Sequence, residues 1–435
     1  LVARAREALG LLYADHFPYR QFETARGIRK SPLHERLTQH GACFGETAGW
    51  ERANWFLPPE ARARGEAAAY RYSWGRQNWF DYAAAEHKAV RAGVGLFDMT
   101  SFAKIRVEGR DAEAVLQKIC ANDVAVEPGC IVYTQWLNER GGIEADLTVT
   151  RLSETAFLIV TGAAVGRRDL AWLQRHIPGD AHCVATEVTA GEAVLCVMGP
   201  KARDLLQPLT PSRLDNDAFP FGTAQTIEIG LAQARAHRVS YVGELGWELY
   251  VPADTARHVF DTLLEAGLPD GPNGGLKLCG MHVLDSCRIE KAFRHFGHDI
   301  SDEDHVLEAG LGFAVKTEKP AGRYGDFIGR AAVLKKKEQG LSRRLVQFRL
   351  TDPDPLLYHN EPIWRDGAIA GHLTSGNYGH HLGAAIGLGY VHCEPGESAP
   401  DVLASSYEIE VAGERFAAEA SLKPMYDPKG ERVRG

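Results

Sequence analysis

The sequence predicts an α+β protein in three parts. These are a connector or wrapping arm over residues 1–72, a duplicated α+β module over 73–340, and a small antiparallel β-barrel over 341–435. Three observations carry this prediction. From about residue 73, alternating hairpin arms are interleaved with helical patterns. A strand–glycine–helix phrase occurs twice: Val107-x-Gly109-x-x-Ala112-x-x-Val115-Leu116-Gln117 matches Val197-x-Gly199-x-x-Ala202-x-x-Leu205-Leu206-Gln207 in every spacing. Past Gly340 the texture turns to short strands separated by glycine turns. At 435 residues the chain is also too long for one ordinary core.

Taken in order, Leu1 to Glu7 is an amphipathic helical opening, and a start at Leu in place of Met suggests that something upstream has been lost. The rest of the first 72 residues is rich in rings and charge, as in His16-Phe-Pro-Tyr19 and Gly49-Trp-Glu-Arg-Ala-Asn-Trp-Phe56. No period persists there, and Leu57-Pro-Pro59 breaks whatever precedes it. Tyr82 to Val94 reads as a helix and Phe102 to Val107 as a strand.

The first clear hairpin runs from Ile131 to Leu137, turns at Asn138-Glu-Arg-Gly-Gly142 and returns. In its second arm Leu147 and Val149 share one face, and Asp146, Thr148 and Thr150 share the other. A second hairpin runs from His237 to Val242, turns at Gly243-Glu-Leu-Gly246 and returns as Trp247–Val251, with Glu248 and Tyr250 on one face. Helices follow at 254–266 and 280–295. The closing strands are Leu345–Leu350, Glu361–Trp364, Gly371–Ser375, Ala385–Val391 and Tyr407–Val411, with turns at Asp366-Gly, Ser375-Gly, Pro395-Gly and Ala412-Gly.

Composition excludes several functions. A net charge of −8 argues against nucleic acid. No apolar run approaches the roughly 20 residues of a membrane span. Eight scattered cysteines without a C-x-x-C pair indicate reduced thiols and no metal site. There is no P-loop, no G-x-S-x-G and no H-E-x-x-H, and no Gly-x-Gly pair continues into a dinucleotide fingerprint.

Two carboxylates on strands remain as candidates, Asp146 and Glu248, each aimed by rigid backbone. By pattern alone either could be a solvated or cross-strand surface charge. Gly141-Gly-Ile-Glu-Ala-Asp-Leu-Thr-Val-Thr-Arg-Leu152, Tyr241-Val-Gly-Glu-Leu-Gly-Trp-Glu-Leu-Tyr250 and Asp285-Ser-Cys-Arg-Ile-Glu-Lys-Ala-Phe-Arg-His295 resemble the glycine-cleavage T-protein (aminomethyltransferase) family. The resemblance is strongest to the folate half of sarcosine and dimethylglycine dehydrogenases. Gly371-His-Leu-Thr-Ser-Gly376, Gly387-Leu-Gly-Tyr-Val391 and Pro424-Met-Tyr-Asp-Pro428 resemble the family's closing β domain. Ser31-Pro-Leu-His-Glu-Arg36 and Gly49-Trp-Glu-Arg52 resemble the connector between the flavin and folate halves.

The resemblance implies a tetrahydrofolate-binding, aminomethyltransferase-like fold. It would capture the one-carbon unit of an oxidised N-methyl amine, an iminium, as 5,10-methylenetetrahydrofolate. It assigns Asp146 the catalytic role beside the folate N10/N5 pair and Glu248 the reading of the pterin edge. Tyr133, Arg288 and Glu244 join the folate-binding set. Tyr133 could equally be core packing, Glu244 could equally be structural in its turn, and Arg288 could pair with Asp285 or Glu290 in its own helix. The chain departs from the pattern at Leu284, where T-proteins usually carry Arg. FAD is expected only in a separate or missing N-terminal half, as a partner domain or subunit, with a bacterial cytoplasmic or mitochondrial matrix location. Two alternatives stay open: a free-standing tetrahydrofolate-dependent demethylase of a methylated amine or sulfonium, and a non-catalytic folate-fold regulatory protein.

Overall fold

The computed structural model describes residues 1–267, 275–394 and 396–435. The Pro395-Gly turn therefore lies outside the described residues at Pro395. Two mixed α/β units face each other, and a closed antiparallel barrel follows.

The duplicated phrase marks equivalent places in the two units. Val107 ends the strand Ala103–Glu108 and leads through Gly109 into the helix Ala112–Ile119. Val197 lies near the end of the strand Glu192–Met198, which leads through Gly199 into the helix Ala202–Leu206. Both glycines sit at positive φ, +138° and +145°. A Cβ at Gly109 would come within 2.1 Å of the His182 carbonyl oxygen, and one at Gly199 within 2.2 Å of the Gly93 oxygen. Only glycine permits backbone to approach backbone this closely at that turn.

One unit is a five-stranded sheet in the order Ile131–Leu137, Ile143–Ser153, Ala156–Thr161, Ala103–Glu108, Val184–Glu187. Ile105, Val107, Ala145, Leu147, Val149 and Ile159 bury one face against the helix Ala112–Ile119 and Leu173. The other unit is a six-stranded sheet in the order Ala224–Ile229, Ala232–His237, Gly246–Pro252, Glu192–Met198, Val94–Asp98, Leu276–Leu278. Trp247, Leu249 and Val251 bury its outer face against Val259, Phe260 and Leu263 of the helix Ala256–Ala266. The opposite faces meet: Leu158 of the first sheet shares one cluster with Val194, Cys196, Met198 and Tyr250 of the second. Period-two patterning thus assigns Asp146 and Glu248 to the layer between the sheets, because each alternates with residues buried outward.

The barrel closes in the order Arg343–Leu350, Ala384–His392, Ala368–Gly379, Pro362–Arg365, Tyr407–Val411, Glu414–Ser421, the last pairing back to the first. Val346, Phe348, Ile363, Leu373, Val391 and Ile409 fill it. Its final strand has no counterpart in the sequence reading, because Ala417, Ala418 and Ala420 give too weak an alternation to stand out.

Other segments also differ from the sequence reading: the helix expected over 280–295 ends at Glu290, and Ser375-Gly376 lies inside the strand Ala368–Gly379 instead of forming a turn. Within 1–72, Ala42–Thr47 and Trp50–Phe56 form a hairpin, and Ala53, Trp55 and Phe56 enter the cores of the module. The β-bulge between Cys43 and Phe44 breaks the period that would have betrayed it. The first arm of the second hairpin is Ala232–His237, not His237–Val242, since His237 pairs with Glu248 and Arg235 with Tyr250. Residues 238–245 form its loop: the Arg238 guanidinium donates to the Phe219 and Arg434 oxygens, and the Val242 carbonyl accepts from Arg91 at 2.7 Å. Arg238 keeps backbone bonds to Thr223 and Gly222, and these contacts together keep the segment from pairing with Gly246–Pro252.

Candidate functional site

Asp146 stands on Ile143–Ser153 directly opposite Gln135 of Ile131–Leu137, and Tyr133 opposite Thr148 is the next residue on the same face. The Gln135 side-chain amide donates to Asp146 at 2.8 Å. Burial pushes the Asp146 carboxyl up to about 6, against the opposing pull of the Gln135 amide, the Tyr133 hydroxyl and the Arg294 charge. Burial raises the Tyr133 hydroxyl as well, and the neighbouring Asp146 charge adds to that. Asp146, Thr148 and Tyr133 nevertheless keep part of their surface accessible, whereas Leu147, Val149 and Gln135 do not. The carboxylate is thus crowded by protein yet open on one side.

Aromatic rings flank it. Tyr133 stacks near Phe313 with ring centres 6.1 Å apart, and Tyr241 near Phe293 at 5.9 Å. The Tyr241 hydroxyl donates to the Arg294 carbonyl at 2.7 Å. The Arg294 side chain donates to the carbonyls of Ala309 and Ala292 at 2.9 and 2.7 Å. Its guanidinium therefore faces Asp146 electrostatically without a carboxylate partner of its own among the described residues.

Glu248 lies on the facing sheet, paired with Cys196 on one side and His237 on the other. It too is half-buried. The Tyr250 hydroxyl donates to it at 2.8 Å. Burial raises its carboxyl, opposed by that hydroxyl and by the Lys104 ammonium. Lys104 is itself fully buried, donating to the Thr100 carbonyl at 3.0 Å.

Glu244 and Arg288 sit in different networks. Glu244 is fully buried and accepts from Arg91 at 3.1 Å, from Arg432 at 2.9 Å and from the Tyr426 hydroxyl. It ties the second unit to the C-terminal segment. Arg288 is buried on Met281–Glu290. It donates to Asp285 at 2.8 Å, Ser375 at 2.9 Å, the Phe293 carbonyl at 3.1 Å, and to Asp299. Of its two expected intrahelical partners it takes Asp285. Glu290 instead accepts from His87 and Arg91 and from the backbone of His381 and Leu382 in the barrel.

Structure thus places Tyr133 beside Asp146, sets Glu248 on the facing layer, and puts Glu244 and Arg288 at the junction with the barrel and tail. Sequence reasoning missed Gln135, Arg294 and Tyr241. Gln135 was within reach, since the hairpin register alone sets it opposite Asp146. Arg294 was not, because a loop after the helix end at Glu290 carries it there.

Comparison with known proteins matches the same regions. The GCVT N-terminal domain family matches residues 33–319, and the glycine cleavage T-protein C-terminal barrel domain family matches 343–427. A relative from Paenarthrobacter nicotinovorans, "4-methylaminobutanoate oxidase (formaldehyde-forming)", is 45% identical over 100% of this chain and 50% of its own length. Human "Sarcosine dehydrogenase, mitochondrial" is 32% identical over 99% of this chain and 50% of its own. The chain spans about half the length of these curated relatives. The crystal structure of glycine cleavage system aminomethyltransferase T from Bartonella henselae aligns with a TM-score of 0.75 at 26% identity. It covers 92% of this chain and 99% of that one. Among the described residues no helix is long and apolar enough to cross a membrane, and no group of metal-ligating side chains is assembled.

Proposed function

The chain belongs to the glycine-cleavage T-protein family of folate-dependent one-carbon transferases, and from that premise we propose that it binds tetrahydrofolate between its two sheets. There it captures the one-carbon unit of an oxidised N-methyl amine as 5,10-methylenetetrahydrofolate. The observation that carries this reading is the half-buried Asp146, held by Gln135 and lifted to about 6. Bound tetrahydrofolate would supply a neutral N5 to add to the iminium carbon. The amine nitrogen would then leave with the N5 proton as its C–N bond breaks, and N10 would give up its own proton as the imidazolidine ring closes. A carboxylate with affinity for a proton near neutrality can take it and stabilise the cation before it. Tyr133 fixes the ring from the same strand face, and the stacked aromatic pairs supply apolar walls for a bicyclic heteroaromatic.

Glu248 matches the pterin edge chemically. That edge offers N3–H and 2-NH₂ as parallel donors, and a carboxylate with one protein donor keeps acceptor capacity for both. Glu244 and Arg288 serve the site indirectly, by holding the tail and barrel against it. Amine oxidation is assigned to a flavin-bearing half or partner, in line with relatives of twice this length. A free-standing tetrahydrofolate-dependent transferase is the second reading, favoured by the aminomethyltransferase structure that the chain covers almost completely. Anaerobic titration with tetrahydrofolate tests the common core of both, and absence of saturable binding at high micromolar ligand rejects it. Formation of 5-methyltetrahydrofolate from a methylated amine or sulfonium without any flavoprotein, a methyl transfer that needs no oxidant, selects the second reading.

A further inference from the structure

One motif of the arm has no role in the site above. Gly49-Trp-Glu-Arg52 enters the strand Trp50–Phe56, and its Arg52 stands opposite Gly45. On the same side of that hairpin, Asn54 donates to the Tyr70 hydroxyl at 2.7 Å, and that hydroxyl lies 2.9 Å from His282 Nε2. Arg52 Nε is buried without a hydrogen-bond partner, and among the described residues no carboxylate pairs with its guanidinium. Its neighbours in the sequence are well supplied: Glu51 takes Arg26 and the Gly27 amide. Asp98, the nearest acidic influence on Arg52, is engaged by the Ser31 hydroxyl and the Thr100 amide. His282 offers no negative charge, since burial drives it to about 3 and leaves it neutral.

A guanidinium crowded by protein and given no acceptor is expensive. Arg26, Arg91 and Arg288 are all matched to carboxylates. Burial pulls even Arg52 down to about 10. The side chain is not sealed, because part of it remains accessible. Its five donors in a planar fork suit a two-oxygen acceptor better than a spherical ion.

We propose that Arg52 is the anchor of a carboxylate-binding subsite on the Asn54–Tyr70–His282 face, distinct from the Asp146 and Glu248 positions. Resting on the folate reading, two ligands bring such a group: an N-methyl amino acid or its demethylated product, and the glutamate end of folate. The chemistry of recognition is the same for both, a bidentate guanidinium–carboxylate pair.

Titration of the intact chain, read by the fluorescence of Trp50 and Trp55 on the same hairpin, tests it. The ligands are sarcosine, 4-aminobutanoate, tetrahydrofolate and tetrahydropteroate, which lacks the glutamate. Arg52→Met is expected to weaken at least one carboxylate carrier 10-fold or more and to leave tetrahydropteroate unchanged. Arg52→Lys, which keeps charge and bulk, is expected to fall between. Loss confined to the amino acids assigns the subsite to substrate. Loss confined to tetrahydrofolate over tetrahydropteroate assigns it to the glutamate end. Unchanged affinity for all four in both variants overturns the proposal, as does stronger competition by inorganic phosphate than by any carboxylate. Wild-type failure to bind tetrahydropteroate rejects the folate reading instead, and the amino-acid arm still decides Arg52.

Discussion

Replacing Asp146 by Asn separates the catalytic reading from a packing role, because the two predict opposite changes in stability. An ordinary aspartate titrates near 3.9, and burial holds Asp146 at about 6. That difference corresponds to about 3 kcal/mol between the two protonation states. Asp146 still meets water on one side, so screening reduces this to about 1–2 kcal/mol. The folded-state value lies above the unfolded one. The stability contribution of the neutral form is therefore complete below pH ~3.9 and lost as pH rises through about 6. At pH 7.5 the protein carries a buried charge that Asn removes without changing shape, and the Gln135 amide still finds an oxygen. Asp146→Asn should gain about 1–2 kcal/mol at pH 7.5 and converge with wild type near pH 4, while methylene transfer falls by two or more orders of magnitude. Urea unfolding at the two pH values, with single-turnover formation of methylenetetrahydrofolate, measures both. A variant equally destabilised at both pH values, or one that keeps its turnover, refutes the reasoning.

Glu248→Gln should weaken tetrahydrofolate about 10- to 100-fold, since one of two parallel acceptors becomes a donor facing a donor; affinity within twofold of wild type removes Glu248 from pterin recognition. Glu244→Gln should cost about 3 kcal/mol in chemical unfolding, toward the low end for a broken buried pair. Arg91 keeps Glu290, and Arg432 is 45% exposed. An unchanged midpoint would mean the tail is not latched there. Gly109→Ala and Gly199→Ala should each lose about 2–4 kcal/mol, because the added methyl would meet a carbonyl oxygen at 2.1 and 2.2 Å. A loss at one glycine alone would argue that the two turns are not structurally equivalent.

Legibility followed the range of the forces involved. The turn Asn138–Gly142 and the alternation around Leu147 and Val149 are local, and they sufficed to set Asp146 on the strand face opposite those two residues. The paired glycines were legible because a backbone approach under 3 Å excludes every other residue. Residues 238–242 were misread as strand because their fate depends on Arg238 reaching Arg434 and Val242 receiving Arg91, partners 196 and 151 residues away in the chain. The hairpin within the arm was hidden by a bulge, and the last barrel strand by its alanines. Arg294 approaches Asp146 only because the chain turns sharply after Glu290, where Ala292 adopts φ +52°, and no periodicity encodes that.

Buried acids are common in this fold, and hydrogen-bond capacity separates those saturated by the protein from those with room for another donor. A carboxylate offers about four acceptor sites. Glu290 is sealed and filled by His87, Arg91 and two backbone amides. Glu244 is sealed and filled by Arg91, Tyr426 and Arg432. Asp299 is sealed and filled by Arg288, Thr374 and the His295 amide. Glu86 has only the Phe56 and Gly280 amides, but no solvent-accessible surface through which a further donor could arrive. Asp146 and Glu248 differ on both counts: each has a single side-chain donor bonded within 3 Å, and each keeps an open flank. Charge held in such positions without saturation costs stability that packing alone would not retain. Spare capacity and access coincide at two acids on facing sheets, which is the pattern a ligand with donors at one end and a proton to lose at the other would require.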